Sequence, residues 1–200
     1  MTTFLLIRHA TTDAIGKSLI GWTAGCRLNS QGKAQADQLA LRLSRLHIRA
    51  VYTSPLERAI ETADAIASSH RLAPQLLEDL GEMRFGAWEG LTFEELDFRE
   101  DWRRFNTVRS RVRPPGGETM IEVQTRMVRQ IECLASRHPD DVVAVVSHCD
   151  PLRALVAHYL GVPLDLLLRF EIDLASVSAL EIGAWAPRIL FLNRTGDMTI

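Results

Sequence analysis

The sequence predicts an α/β fold, a three-layer α/β/α sandwich around a mostly parallel sheet, and three observations carry that expectation. Residues 4–7 and 142–146 are short apolar runs with the length and branched content of buried strands. Helical spacing of apolar residues fills much of the chain between the strands, the alternation typical of α/β domains. One stretch, about residues 76–118, interrupts the pattern with glycines and arginines and reads as a small capping insertion.

In chain order, the first strand ends in Arg8 and His9, which places a cation and an imidazole at the carboxyl edge, where open α/β sheets bind ligands. Residues 16–28 lack periodicity and read as a surface loop. A helix is expected from Asn29 or Ser30, both N-cap types, with Leu39, Leu43 and Leu46 on its inner face and an early, tolerated Gly32. Residues 50–53 form the next strand. Ser54-Pro55-Leu56-Glu57 then reads as a capping box with proline at the first helical position, which puts Arg58 in the first turn and Thr62 one turn on.

Three glycines in residues 80–90 mark a loop, and a helix is expected from about Thr92 to Phe105. Arg99, Arg103, Arg104, Arg109, Arg111 and Arg113 follow one another closely. Most read as a solvated face, with one or two available to meet a second anionic group on a ligand. Met120, Val123, Met127, Ile131 and Leu134 give the core stripe of a long helix, about 119–137. After the 142–146 strand, Asp150 fits an N-cap and Pro151 the first helical position, so His148 sits on a sharp strand-to-helix turn beside a helix amino terminus that offers free N–H groups to an anion. Gly161 ends that helix. Residues 177–182 and 189–192 read as an antiparallel pair at a sheet edge, and that edge leaves a homodimer open.

The 200 residues, 46% hydrophobic, are enough for one domain spanning 1–200 with a substantial core. With 23 basic against 25 acidic residues, the net charge of −2 gives no footprint for nucleic acid or an anionic membrane. No apolar run reaches spanning or signal-peptide length, so a cytoplasmic location is expected. Cys26, Cys133 and Cys149 are odd in number and far apart, which argues against disulfides or a zinc site.

Four motifs in order, Arg8-His9-Ala10, Ser54-Pro55-Leu56-Glu57-Arg58-Ala59-Ile60-Glu61-Thr62-Ala63, the 80–90 loop with Glu82 and Trp88-Glu89-Gly90, and Ser147-His148, resemble the histidine phosphatase superfamily. The similarity spans about residues 4–163 and is to the branch that holds cofactor-dependent phosphoglycerate mutases and small phosphatases. It implies a metal-independent phosphatase, without cofactor, acting on a small phosphomonoester. By that resemblance His9 is the nucleophile that forms a phosphohistidine, Arg8, Arg58 and His148 bind phosphate, and Glu82 is the proton donor. His148 is expected to act protonated, stabilising charge.

This chain departs from the family pattern at Ala10 for glycine, where a methyl group would crowd a positive φ, at Thr11 and Ile15 for polar residues, and at Cys149 for glycine. Cys149 reads as packed, the alternative being an oxidation-sensitive thiolate stabilised by His148. A phosphoglycerate mutase is the alternative activity, since Gly21-Trp22 resembles the mutase substrate loop, but family mutases are longer. A catalytically silent phospho-ligand binder is the third reading, and it would predict loss of His9 or Glu82, both of which are present.

Overall fold

A computed structural model describes Met1–Gly196. Six strands form one mixed sheet in the order β3-β2-β4-β1-β5-β6. They are β1 (Thr2–Arg8), β2 (Ile48–Thr53), β3 (Gln75–Leu76), β4 (Val142–Ser147), β5 (Val177–Ile182) and β6 (Arg188–Arg194). The first four are parallel, while β5 runs antiparallel to β1 and β6 antiparallel to β5, which gives the expected edge hairpin.

Alternate side chains of the central strands serve two separate cores. Phe4, Leu6, Val143 and Val145 face α5 (Met120–Arg137) and α6 (Cys149–Leu160), whereas Leu5, Ile7, Ala144 and Val146 face α1 (Ser30–Leu43) and α2 (Glu57–Ser69). Both faces are therefore covered, which is why these strands read as unbroken apolar runs. Each fully buried Leu, Ile or Phe contributes roughly 1.5–3 kcal/mol from lost water contact.

The expected capping insertion, about residues 76–118, holds two short 3-10 turns and two helices, α3 (Phe93–Asp97) and α4 (Glu100–Thr107). Their Trp88, Leu96, Trp102 and Phe105 join the same core as α5 and α6. The single helix expected over 92–105 is in fact broken at Phe98 and Arg99. Arg99 is extended and the acidic Glu100 and Asp101 start a new first turn, so that Leu96 and the Trp102–Phe105 pair all point inward.

Helix starts divide the same way. Asn29 caps α1 through Gly32 N–H at 2.8 Å, and Thr119 and Glu122 form a full capping box on α5. Gly161 ends α6 with φ of 67°, the left-handed conformation that glycine adopts without strain. The box at Ser54 does not form. Helix α2 begins at Glu57 with Leu56 as its cap, and Ser54 and Glu57 make other contacts. Likewise His148, not Asp150, is the N-cap of α6, so Asp150 lies inside the first turn.

Gly32 is required rather than merely tolerated, because a Cβ there would sit 2.0 Å from the Thr11 carbonyl oxygen. That contact seats α1 against the segment after β1. Gly32→Ala is expected to cost about 1–3 kcal/mol, the usual price of overpacking. At about 3 °C per kcal/mol, thermal unfolding should show a fall in Tm of roughly 3–9 °C; an unchanged Tm would remove the contact from the account.

Candidate active site

Three parallel strands end level with one another. Arg8 of β1 pairs with Ser147 of β4, and Thr53 of β2 with Val146. The residues that follow, His9, His148 and Ser54, consequently leave the sheet at one place. His9 N–H bonds to Ser147 O at 3.0 Å and Ser54 N–H to Val146 O at 3.0 Å, so the backbone is held beyond the last ladder pair. The two imidazoles lie with ring centroids 5.1 Å apart.

His9 is buried, with Nδ1 2.8 Å from the Ala10 carbonyl. A carbonyl only accepts, so Nδ1 carries the proton and Nε2 keeps its lone pair. Arg58 Nε approaches that lone pair at 3.3 Å while its Nη2 donates to Gly21 O at 2.9 Å. Thr62 ties the two segments together: it accepts from Ala10 N–H at 3.1 Å and donates to Arg58 O at 2.7 Å. Burial first, then the neighbouring Arg58 charge, holds His9 well below the ordinary imidazole pKa.

His148 is fully buried, and its Nε2 lies 2.7 Å from Ser54 Oγ. Ser54 Oγ also accepts from Leu56 N–H at 3.2 Å, which fixes the hydroxyl against the imidazole. Burial, Arg58 and His9, in that order, hold His148 well below its ordinary pKa. In the free site desolvation among cations thus favours the neutral imidazole, whereas the protonated His148 expected from the sequence is that of the site at work, facing a phosphate dianion.

Arg8 Nη1 donates to Ile172 O at 2.7 Å. Three buried polar nitrogens here, Arg8 Nε, Arg58 Nη1 and His148 Nδ1, have no protein partner. Leaving one such group unsatisfied costs about 1–3 kcal/mol, so their concentration at one strand edge marks a place built for an anion.

Glu82 arrives from the capping segment and shares the cavity wall with Arg8, His9 and Arg58. Its Oε1 accepts from Met83 N–H at 2.9 Å. Burial, followed by the nearby Asp150 charge, pushes its pKa up to about 7. The backbone around it is clamped. Arg126 donates to Asp79 O, Gly81 O and Glu82 O at 2.6, 2.9 and 3.0 Å, and its Nε pairs with Glu118 at 2.9 Å. Ser147 Oγ donates to Leu80 O at 2.7 Å, and Trp22 Nε1 to Glu82 O at 2.6 Å.

All five residues expected at the site, Arg8, His9, Arg58, Glu82 and His148, therefore gather at one place. From the sequence Ser54 and Thr62 were legible only as members of their motif and Trp22 only through the mutase-like loop, while Arg126 and the buried Arg109–Asp150 ion pair, 2.8 Å long, carried no role at the site. A signal for Ser54 was available in the proline that follows it, which resists a helical residue in front; for Arg126, inside an amphipathic helix, none was. Ala10 is not among the residues with positive φ, so its methyl packs in the core without strain. Burial pushes the Cys149 thiol up to about 11, which rules against the stabilised-thiolate reading. Among the described residues no cluster of three or more His, Cys, Asp or Glu is placed to hold a metal ion, and no helix is long and apolar enough to cross a membrane.

The family model of the histidine phosphatase superfamily (branch 1) matches residues 4–195. The chain belongs to the histidine phosphatase superfamily. It is 34% identical over 197 residues to phosphoserine phosphatase 1 of Hydrogenobacter thermophilus, covering 98% of this chain and 93% of that protein. It is 35% identical over 198 residues to a bifunctional protein of Mycobacterium tuberculosis and spans about half, 54%, of that relative's length. The crystal structure of the alpha-ribazole phosphatase from Shigella flexneri superposes with a TM-score of 0.88 at 27% identity, over 99% of each chain. The fold is therefore shared with that phosphatase over nearly the whole of both chains.

The raised pKa of Glu82 has a consequence for stability. Folded, Glu82 keeps its proton to about pH 7, against 4.5 ordinarily, so the folded state binds more protons between those values. Its contribution to stability is complete below about 4.5 and is lost as pH rises through 7. Glu82→Gln removes this dependence; the variant's Tm relative to the unsubstituted protein should be higher at pH 8 than at pH 5. Equal differences at both pH values would show that Glu82 titrates normally.

Proposed function

We propose that this chain is a phosphatase that hydrolyses small phosphomonoesters through a phosphohistidine on His9. The observation that carries the reading is the unprotonated Nε2 of His9, set among buried donors that lack acceptors, with a protonatable carboxyl in the same cavity. Relatives named as phosphoserine and alpha-ribazole phosphatases support the reaction class.

The steps follow from the geometry. A phosphate dianion entering the pocket satisfies Arg8 Nε, Arg58 Nη1 and His148 Nδ1 and draws Arg58 toward its oxygens. His9 Nε2 attacks phosphorus as the bond to the leaving oxygen breaks. The negative charge that spreads over the equatorial oxygens meets donors already in place, with no reorganisation needed. Glu82, protonated near neutral pH, gives its proton to the leaving oxygen. Water then attacks phosphorus, the N–P bond breaks, and Glu82 takes the water's proton. The bond from His9 Nδ1 to Ala10 O holds the ring in place throughout and disperses charge while phosphorus is attached.

The test is phosphate release from a panel of monoesters in the presence of a metal chelator, with and without 2,3-bisphosphoglycerate. Release should resist the chelator, need no bisphosphoglycerate, and fall at least about a thousandfold in His9→Ala. Full activity in that variant would overturn the nucleophile, and conversion of 3-phosphoglycerate to 2-phosphoglycerate without net release would mean a mutase. Glu82→Gln should slow esters of poor leaving groups by about 10²–10⁴ and those of good ones far less; equal losses would make Glu82 a positioning group.

A further inference from the structure

Two carboxyl groups line the cavity, Glu82 and Asp150, and the reaction steps above use only the first. They arrive on different supports. Glu82 comes from the capping segment, whereas Asp150 stands in the first turn of α6, two residues beyond His148. Asp150 is 9% exposed, and its Oδ2 accepts from Arg109 Nη1 at 2.8 Å. Arg109, 5% exposed, is itself held in place: its Nη2 donates to Asn106 Oδ1 at 2.8 Å and its guanidinium carbon lies 4.6 Å from the centre of the Phe105 ring. Its Nε is buried without a protein partner. A guanidinium does not give up its charge, so the carboxyl bonded to it is the one of the two that stands ionised.

A phosphate pocket works against its own acid. Arg8 and Arg58 share the cavity wall with Glu82, and both favour its ionised form, which has no proton to give. The neighbouring groups do little to offset them. His9 and His148 add no charge in the neutral form that their burial favours, and the Cys149 thiol, pushed up to about 11, keeps its proton. Arg126 of α5 reaches the Glu82 carbonyl but is paired with Glu118. Asp150 is the anion that acts on Glu82 in the opposite sense to Arg8 and Arg58, and after burial its charge is the strongest influence keeping the proton there.

We propose that Asp150 and Arg109 are positioning residues for the proton: Arg109 holds Asp150 as an anion, and that anion keeps Glu82 protonated beside the cations that bind phosphate. This rests on the phosphatase reading above and adds to it a reason why Glu82, and not Asp150, is the acid. Two carboxyl groups held in opposite protonation states by their surroundings take different roles. Neither Asp150 nor Arg109 makes or breaks a bond; the proton passes from Glu82 to the leaving oxygen.

The test compares kcat/KM at about pH 5.5 and pH 8 for an alkyl monoester drawn from the panel above, whose oxygen must be protonated as it leaves, and for 4-nitrophenyl phosphate, whose phenolate leaves without that help. The ratio of the value at pH 8 to that at pH 5.5 is read within each variant, so a general loss of activity cancels, and the ester's own ionisation is common to all variants. In the unsubstituted protein, release from the alkyl ester should fall as pH rises through about 7. Asp150→Asn should lower the alkyl-ester ratio by about three- to sevenfold, the effect of bringing the acid's pKa down by about 0.5–1. Arg109→Met should raise it at least about twofold, because the freed anion holds the proton more firmly. Neither variant should move the ratio for 4-nitrophenyl phosphate. An unchanged alkyl-ester ratio in Asp150→Asn, or an equal change for both esters, would overturn the role of Asp150; a ratio that falls or stays level in Arg109→Met would overturn that of Arg109. Each single variant strands a buried charge, so folding is checked by circular dichroism. The double variant Asp150→Asn/Arg109→Met strands none and should show a lowered ratio; an unchanged one would overturn both roles. Release from 4-nitrophenyl phosphate alone would mean that no acid acts and would overturn the proposal, whereas no release from any ester by the unsubstituted protein would overturn the phosphatase reading itself.

Discussion

The register between β1 and β4 is the constraint on which the site depends. Because Arg8 pairs with Ser147, the next residue of each strand is a histidine, and both leave the sheet at the same height. A slip of one residue would exchange the two faces of a strand whose Phe4 and Leu6 serve one core and whose Leu5 and Ile7 serve the other. The penalty for misplacing those side chains, all nearly or wholly buried, is what holds two imidazoles 5.1 Å apart. Catalytic geometry here is thus inherited from hydrophobic packing several residues away.

Desolvation then sets the protonation states. An imidazole at this edge would hold a positive charge only by adding it, largely desolvated, to the fields of Arg8 and Arg58, so the surroundings favour the neutral form of both histidines. For His9 that is the nucleophilic form. The same burial acts oppositely on a carboxyl, and Glu82, with Asp150 adding to the effect, is left on the edge of protonation near neutrality. One low-dielectric environment thereby produces a base lone pair and an acid proton side by side.

How much of this was legible depends on whether the cause was local. Asn29, Thr119 with Glu122, and Gly161 act within one helical turn, and each was readable from its neighbours. Strands buried on both faces announce themselves as apolar runs. What escaped was settled by distant contacts. Ser54 looks like a helix cap until His148, 94 residues away, engages its hydroxyl. Arg109 looked like one of a solvated series, and Arg99 and Arg113 do pair with acidic side chains at the surface, but Arg109 alone turns inward to Asp150. Gly32 carries no mark in the sequence of the Thr11 carbonyl against it.

The five site residues divide between two supports. Arg8, His9, Arg58 and His148 stand on the sheet edge or the turn and helix just beyond it, elements that packing fixes firmly. Glu82 stands on the capping segment, so its position relative to phosphorus depends on how that segment is fastened to the sheet. The fastening is polar: Ser147 of β4 holds Leu80 O, Arg126 of α5 holds the carbonyls of Asp79, Gly81 and Glu82, and Trp22 also holds the carbonyl of Glu82. Hydrogen bonds are directional where apolar contact is not, and a proton donor must reach a leaving oxygen within a few tenths of an ångström. The fold therefore spends directional hydrogen bonds, those of Arg126 charge-assisted, on the one reactive group that the sheet does not carry.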